Sequence, residues 1–520
     1  LSNIYFKSTL EEALKLKNEG NYLESANLFV KLSELVNTVT QKNQLLTQAA
    51  FLFQSKDDYE KAAFYYKQIL ETNLVSLSTL NNYALTLQKL KNYTESLELF
   101  FKALEIDNNN PSILFNIGIT YYLFGDLNKS LDYYKQAIQI SPNNIDYKSN
   151  LAILYQELEE YEKSESIYLE IINKSNESKY LTDLGVCYYH QGKYEKAKNI
   201  FEEVLKKEPF NTHAQWYKTF ILYLQSEYDK GFTFINSVNF LENNFKDIYN
   251  SKPLWKGQDI EYKTLLIDCD GGLGDSIQFL RYVNSYIEKG SNIIIACQKE
   301  LFNLLKESIN CTIILKDEIP KTKYDFYTNI LSFIYLFNFK EIPKPLNLNL
   351  KRDSKDIFEK NNIEIDKKKY NIGIVWASKS NTKTTLKRSL TLNDFNFLSE
   401  FESINIFSFQ KGEAEKQLWL KNDNKIINLS PYINDMLDTA NFILNMDLII
   451  TVDTAVAHLA SSMNKKTFIL LPFSPDWRWG LNSNTSNWYT SVTLYRKNEL
   501  KSWKNTFNNL IIDLKKILQN

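Results

Sequence analysis

Over the first part of the chain, apolar residues recur at the i, i+3, i+4 spacing of amphipathic helices, in runs separated by short polar turns. Aligned on the aromatic or leucine that follows each turn, the register residues are Tyr22, Tyr59, Tyr93, Leu127, Tyr161, Tyr194 and Tyr228, at spacings of 37, 34, 34, 34, 33 and 34. Beyond Tyr228 the period fades, and Ser251 to Gly257, S-K-P-L-W-K-G, reads as a connector. The pattern then changes to short β-branched runs alternating with helical ones. Strands are predicted at Thr264–Ile267, Asn292–Ala296, Thr312–Leu315, Ile372–Trp376, Ile404–Phe409, Leu448–Val452 and Thr467–Leu471. Helices between them include Lys299–Ser308 and Asp438–Asn445. Such alternation predicts parallel α/β sheets, and the charged, proline-bearing segment from Glu341 to Lys369 splits them into two halves.

A period near 34 is that of the tetratricopeptide repeat, a helix-turn-helix unit. The clearest copy runs from Leu184 to Pro209, with Gly185 and Ala197 where two helices approach closely. Gly125-Asp126 and Gly192-Lys193 are predicted turns, and Pro111, Pro142 and Pro209 end second helices. Stacked repeats form an α-solenoid whose groove takes peptides or partner proteins. Asn82, Asn116, Asn150 and Tyr122 recur on first helices and either face that groove or pack between repeats. The expected organisation is a repeat array over 1–240, a connector over 241–262, and two Rossmann-like lobes over 263–365 and 366–520 facing each other across a cleft.

Composition narrows the function classes. With 44% hydrophobic and 24% charged residues the 520-residue chain is of globular type, too long for one ordinary core. Its 61 basic and 62 acidic residues nearly cancel, which disfavours nucleic acid or an anionic membrane as partner. No run approaches the ~20 apolar residues of a membrane helix, so no membrane insertion is expected and the reading is cytoplasmic. Cys187, Cys269, Cys297 and Cys311 show no C-x-x-C spacing, and with three histidines in the chain no metal site is expected.

Four stretches can carry chemistry. In the first, strand Thr264–Ile267 leads through Gly271-Gly272-Leu273-Gly274 into a helix that Asp275 begins. This turn lies at the carboxyl end of a strand, where open α/β sheets bind ligands. It has no Gly-Lys-Ser/Thr closure and no full G-x-G-x-x-G spacing, and Cys297-Gln298 after the next strand supplies no ribose-binding carboxylate. A nicotinamide enzyme therefore fits poorly. The second, Trp376 to Ser389, brings Lys387 and Arg388 to hold a diphosphate, unless its lysines are only a solvated loop. In the third, Ser408 to Glu413, Glu413 either accepts bonds from ribose hydroxyls or is a surface glutamate at a helix start. The fourth, Asp447 to His458, ends a buried strand in Asp453-Thr454 before a helix of small residues, whose free amides make an anion site. His458, one turn in, touches a phosphate or makes a core contact.

The words P-L-W-K-G at Pro253, G-L-G-D-S-I-Q-F-L-R-Y at Gly272, S-F-Q-K-G at Ser408, V-D-T-A-V-A-H-L-A at Val452 and L-P-F-S-P-D-W-R-W at Leu471 resemble glycosyltransferase family nine, the heptosyltransferases of GT-B fold. More closely, the chain resembles bacterial tetratricopeptide proteins carrying such a domain. The resemblance spans Pro253 to about Trp503. It implies an inverting, metal-independent glycosyltransferase with Asp275 as general base. Donor-binding residues would be Gly272, Gly274, Lys387, Arg388, Gln410, Lys411, Glu413, Asp453, Thr454, Ala455, Val456 and His458. Gln278, Arg281, Asp476 and Arg478 are candidate cleft or acceptor residues, and Asp476 to Trp479 either lines the cleft or clamps the lobes. Ala455 stands where heptosyltransferases usually have glycine. No cofactor is expected beyond an ADP-, UDP- or GDP-linked sugar donor, and the repeats are expected to present a protein or peptide acceptor. The competing expectations are a repeat scaffold with a silent transferase-like domain, and a transferase acting on lipid or polysaccharide.

Overall fold

The computed structural model describes residues 2–72, 74–228, 230–231, 252–288, 290–332, 342–345, 348, 350, 357–378, 388–421, 425–500 and 502–519. The chain divides into two compact units, Leu1–Cys187 and Tyr188–Asn520.

The first unit is all helical: α1 (Ser2–Asn18), α2 (Tyr22–Glu34), α3 (Val39–Gln54), α4 (Tyr59–Leu70), α5 (Leu77–Lys89), α6 (Tyr93–Ile106), α7 (Pro111–Phe124), α8 (Leu127–Ile140), α9 (Ile145–Glu157), α10 (Tyr161–Ile172) and most of α11 (Ser178–His190). Each register residue from Tyr22 to Tyr194 opens the second helix of a repeat. The turn before it has one construction throughout. A left-handed residue stands two places ahead of the register residue at Gly20, Asp57, Lys91, Gly125 and Glu159, with φ between 57° and 96°. Its N–H and the next one close back on the ending helix: Lys91 to the Gln88 carbonyl at 3.1 Å, and Asn92 to that of Leu87 at 2.9 Å. This is the Schellman closure, which satisfies the last orphan carbonyls.

Alanines occupy the tightest helix contacts, with Ala26, Ala62 and Ala103 fully buried. Buried serines use the same closeness: Ser25 and Ser96 each donate to a carbonyl of the preceding helix, those of Ala13 and Ala84, at 2.7 Å. Several repeat tyrosines are core; Tyr66, Tyr134, Tyr161 and Tyr168 are at most 3% exposed. Of the predicted groove residues, Asn116 donates to Asn81 at 2.9 Å and Asn150 to the Asp146 carbonyl at 2.9 Å. Burial, then the Glu157 charge, pushes the half-buried Tyr122 hydroxyl up to about 12.

The second unit opens with two further helices of repeat type, α12 (Tyr194–Lys207) and α13 (Thr212–Leu224). The left-handed turns at Gly192 and Ser226 continue the series. Residues 232–251 lie outside the described residues. A first sheet follows, carrying β1 (Thr264–Asp268), α14 (Leu273–Phe279), α15 (Asn284–Glu288), β2 (Asn292–Cys297), α16 (Lys299–Ser308), β3 (Thr312–Leu315) and β4 (Phe326–Asn329). A second carries α17 (Ile357–Lys360), β5 (Tyr370–Val375), β6 (Ile404–Ser408), α18 (Lys416–Lys421), β7 (Ile426–Asn428), α19 (Met436–Leu444), β8 (Leu448–Val452), α20 (Ala455–Ser462), β9 (Thr467–Leu471), β10 (Val492–Arg496) and α21 (Lys504–Gln519).

The strand orders are β3-β2-β1-β4 and β10-β9-β8-β5-β6-β7, and the pairings are parallel. Counted within each sheet, both follow the doubly wound 3-2-1-4 order, the second continuing to 5 and 6. Strand direction of growth therefore reverses between β1 and β4 and between β5 and β8, which opens a crevice at each carboxyl edge. Strands β8 and β9 are buried at every position, as sheets covered on both faces require.

Seven of these strands were predicted. Strands β4, β7 and β10 were not; β4 and β7 span only four and three residues. The predicted connector also does more than connect: Trp255 donates to the Tyr327 carbonyl at 2.7 Å, and Tyr327 to that of Pro253 at 3.2 Å. It thus borders the edge of β4.

Four of the seven left-handed turn positions, at Asp57, Lys91, Glu159 and Ser226, are not glycine. A side chain there costs about 1–2 kcal/mol in the left-handed region. Lys91 is exposed. Lys91→Gly is expected to raise stability by up to ~1 kcal/mol, the strain relief exceeding the added chain entropy, and Lys91→Val to lower it by ~1 kcal/mol. Urea midpoints of the two variants and the parent, at unchanged m-value, check the order.

Candidate functional site

The carboxyl ends of β1 and of β5, β6 and β8 open on one cavity of ≈ 730 Å³ within the second unit. From the first sheet it is lined by Gly271, Gly272, Gly274, Asp275, Gln298 and Glu300. From the second come Ala377, Ser378, Arg388, Phe409, Gln410, Lys411, Ile433, Met436, Asp453, Thr454, Ala455, Val456, His458, Asp476 and Arg478.

On the first side the β1–α14 turn needs its glycine at Gly271, where φ is +130°. Asp275 closes the turn from the third helical position, its Oδ2 accepting the Gly272 N–H at 3.0 Å. The other oxygen, Oδ1, accepts from the Arg478 guanidinium. Arg478 also donates to Asp476 Oδ1 at 2.8 Å and, through Nε, to Gln278 Oε1 at 2.7 Å. Burial works against the charge on Arg478, but Asp476 and Asp275 outweigh it and hold the guanidinium above its ordinary pKa. Asp275 retains 26% of its side-chain exposure and Arg478 11%, so the carboxylate is the more accessible partner.

Gly274 serves a purpose that the sequence does not reveal. A Cβ there would stand 2.7 Å from His458 Cδ2 and 3.5 Å from the Ala455 Cα. The missing side chain lets α14 lie against α20. Gly274, a donor contact by the resemblance, lines the cavity, but this packing is what requires glycine there.

On the second side β8 delivers Asp453 and Thr454 to the start of α20. The Thr454 carbonyl accepts the Ala457 N–H at 3.0 Å, while Ala455 and Val456 line the cavity at the helix start. The Thr454 hydroxyl is shared with Thr451 at 3.0 Å, so it does not cap the helix. Asp453 pairs with Arg388 at 3.2 Å. Burial pushes the Asp453 carboxyl up, against the lowering pull of Arg388. His458 is 4% exposed, holds the Tyr489 hydroxyl through Nδ1 at 3.0 Å, and stacks on Trp479. Burial, then the Arg478 charge, pulls its pKa down to about 3, so the ring is neutral.

The remaining predicted residues divide. Gln410 touches the cavity, but its side-chain amide is spent on backbone: Trp376 and Ala377 N–H donate to Oε1 at 3.1 and 2.9 Å, and Nε2 donates to the Ala377 carbonyl at 3.0 Å. It fixes the loop after β5. Lys411 lines the cavity while its ammonium holds the Ile433 carbonyl. Glu413 stands outside the lining, exposed and paired with Lys416 at 2.7 Å. Lys387 lies outside the described residues.

Arg281 is also away from the lining and 2% exposed. It donates to the carbonyls of Gln278 at 2.7 Å, Trp488 at 2.9 Å and Pro343 at 3.2 Å, with the Tyr489 ring 4.8 Å away. It ties α14 to the loop before β10. Of the segment 476–479, Asp476 and Arg478 line the cavity, whereas Trp477 and Trp479 are buried at 4% and 2%.

Sequence reasoning missed Gln298 as a turn holder, donating to the carbonyls of Cys269 at 2.7 Å and Gly271 at 3.0 Å. It also missed the Asn303–Asp435 bond of 2.6 Å and the Tyr489 partner of His458. A glutamine one residue past β2, in register with the β1 turn, was the available signal for the first. The other two join segments with no shared pattern.

Comparison with known proteins bears on the repeats. A tetratricopeptide-repeat family model matches residues 75–143, and a model of YpiA-like C-terminal tetratricopeptide repeats matches residues 146–211. Residues 75–211 therefore carry tetratricopeptide repeats, a class that mediates protein–protein contacts. No curated protein matches the chain. Among solved structures, a tetratricopeptide repeat protein from Parabacteroides merdae is 15% identical, covering 46% of this chain and 96% of its own, with a TM-score of 0.40. The C-terminal part of a repeat-containing protein from Cytophaga hutchinsonii is 16% identical, covering 46% and 97%, with a TM-score of 0.37. PilF of Pseudomonas aeruginosa is 16% identical, covering 42% and 98%, with a TM-score of 0.34. Among the described residues no helix is long and apolar enough to cross a membrane.

His458 gives the site a signature in pH. Its folded pKa of about 3 lies below the ordinary 6.5, so the unfolded chain takes up the proton first. The stability it contributes is complete above pH 6.5 and is lost as pH falls toward 3. Asp453, Asp476, Arg281, Arg388 and Arg478 are the charges that act around this ring. His458→Gln is expected to flatten the fall of the urea midpoint between pH 6.5 and pH 4, as judged against the parent protein.

Proposed function

We propose that the second unit is a metal-independent, inverting glycosyltransferase of GT-B type, taking a nucleotide-sugar donor. The observation that carries this reading is the asymmetry of the cavity: a partly exposed carboxylate, Asp275, on one wall, and a helix start with an arginine, Arg388, on the other. In the reaction, the acceptor oxygen attacks the anomeric carbon as its proton passes to Asp275. The bond from that carbon to the phosphate oxygen breaks, and the nucleoside diphosphate leaves from the opposite face. The Ala455 and Val456 amides, the dipole of α20 and the Arg388 cation would receive the charge of the leaving group. Thr454 and His458 border the same place, with His458 as a neutral donor or acceptor.

Asp275 already accepts from Gly272 and Arg478. A carboxylate has about four lone-pair positions, so these two donors leave room for the acceptor hydroxyl. Phe409, Ile433 and Met436 form an apolar side of the cavity suited to a nucleoside. The repeats supply the reason to favour a protein or peptide acceptor, because a solenoid groove recognises extended chains.

One observation favours a second reading. The Asp275–Arg478 pair holds the two walls together, which is also what a structural clasp in a silent, scaffold-type domain would do. The readings differ in two measurements. For the transferase, Asp275→Asn is expected to lower the transfer rate by about 10²-fold or more while nucleoside-diphosphate affinity changes little. Arg388→Ala is expected to weaken that affinity by roughly 10- to 100-fold, the worth of one charge-assisted bond. Calorimetry with ADP, UDP and GDP measures the second, and transfer from the matching sugar donors the first. No heat with any nucleotide would leave the scaffold reading standing.

A further inference from the structure

The Trp477–Trp479 turn faces two ways. Arg478 reaches into the cavity, and Trp477 turns back against the last repeat-type helix. The Tyr223 ring of α13 lies 4.9 Å from the Trp477 ring, and both residues are buried, at 2% and 4% exposure. Tyr223 is itself gripped from behind: a Cβ on Gly231 would stand 2.4 Å from the Tyr223 ring. The Trp477 ring carries the Arg478 guanidinium on its face at 4.8 Å, and Phe279 of α14 supports the same guanidinium at 5.3 Å. Arg478 then holds Asp275.

We propose that Tyr223 is a positioning residue for the cavity: through Trp477 and Arg478 it sets where the Asp275 carboxylate stands. The last repeat-type helix is then part of the site's frame. Two physical facts carry this. A guanidinium that is 11% exposed cannot shift without either taking its carboxylate along or leaving a charge buried and unpaired. And Trp477 has no room to adjust alone, since Phe279, Trp488 and Tyr223 surround it at 6.3, 6.0 and 4.9 Å. A displacement of α13 therefore moves Arg478. The consequence for transfer rests on the glycosyltransferase reading, whereas the placement of Asp275 does not.

The test uses full-length protein with Tyr223→Leu and Tyr223→Phe. The amide of Gly272 is bonded to Asp275, so hydrogen exchange across residues 271–276 reports how firmly the carboxylate is held. The Leu variant is expected to speed exchange there about fivefold at an unchanged global melting temperature, with the Phe variant at the parent rate. Transfer turnover is expected to fall about tenfold in the Leu variant with donor KM unchanged, and to return in the Phe variant. Faster exchange in α13 with unchanged exchange at 271–276 overturns the proposal, and so does an equal loss in both variants. If the Leu variant does not fold, Trp477→Phe carries the same two measurements. If the parent protein transfers no sugar, the glycosyltransferase reading fails and the exchange result alone decides the positioning role.

Discussion

The second unit depends on one buried cation. Arg478 is held by carboxylates from both sides of the cavity, Asp275 on α14 and Asp476 beside it, with Gln278 accepting from Nε. Removing Arg478 leaves two carboxylates without their shared counter-charge, so the arrangement is self-enforcing once formed. It fixes the mutual placement of the two sheets at the point where their carboxyl edges meet. Gly274 and Arg281 act on the same junction by other means, one through the absence of a side chain and one through three backbone carbonyls.

That junction explains why the cavity is chemically one-sided. The doubly wound order puts an open crevice at the end of each sheet, and each crevice is furnished by whatever follows its central strand. After β1 comes a tight glycine turn that Asp275 and Gln298 hold. After β8 comes a helix of small residues whose first residues, Ala455 and Val456, line the same space. A carboxylate on one wall and a helix start on the other thus arise from the same topology used twice with different loop residues.

The repeats follow a different constraint. Seven left-handed turns, spaced as the register residues are spaced, close each first helix in the same way although glycine supplies only three of them. Geometry is kept where the residue type is not, because the backbone closure satisfies carbonyls that would otherwise be stranded at each helix end. Helices α12 and α13 obey this rule and yet belong to the compact unit that holds the sheets. The period, the left-handed turns and, for α12, the match to a repeat-family model place them with the repeats.

Much of this was legible in the residues. The period of 34, the turn glycines at Gly125 and Gly192, seven of the strands, and the strand–turn–helix segments bearing Asp275 and Asp453 all follow from local pattern, because helices, strands and their caps are set by neighbours in sequence. Local pattern drew Glu413 toward a ligand, and the family resemblance drew Gln410 and Arg281. Their positions at strand ends or in a cleft helix looked right, but Gln410 is consumed by backbone, Glu413 by Lys416, and Arg281 by carbonyls more than sixty residues away in Pro343 and Trp488. Only the tertiary structure decides such matters, since a polar side chain goes to whichever partner burial leaves within reach. For the same reason the sequence could name Asp275, but not that Arg478 would hold it, nor that Tyr223, far earlier in the chain, would stand behind Arg478.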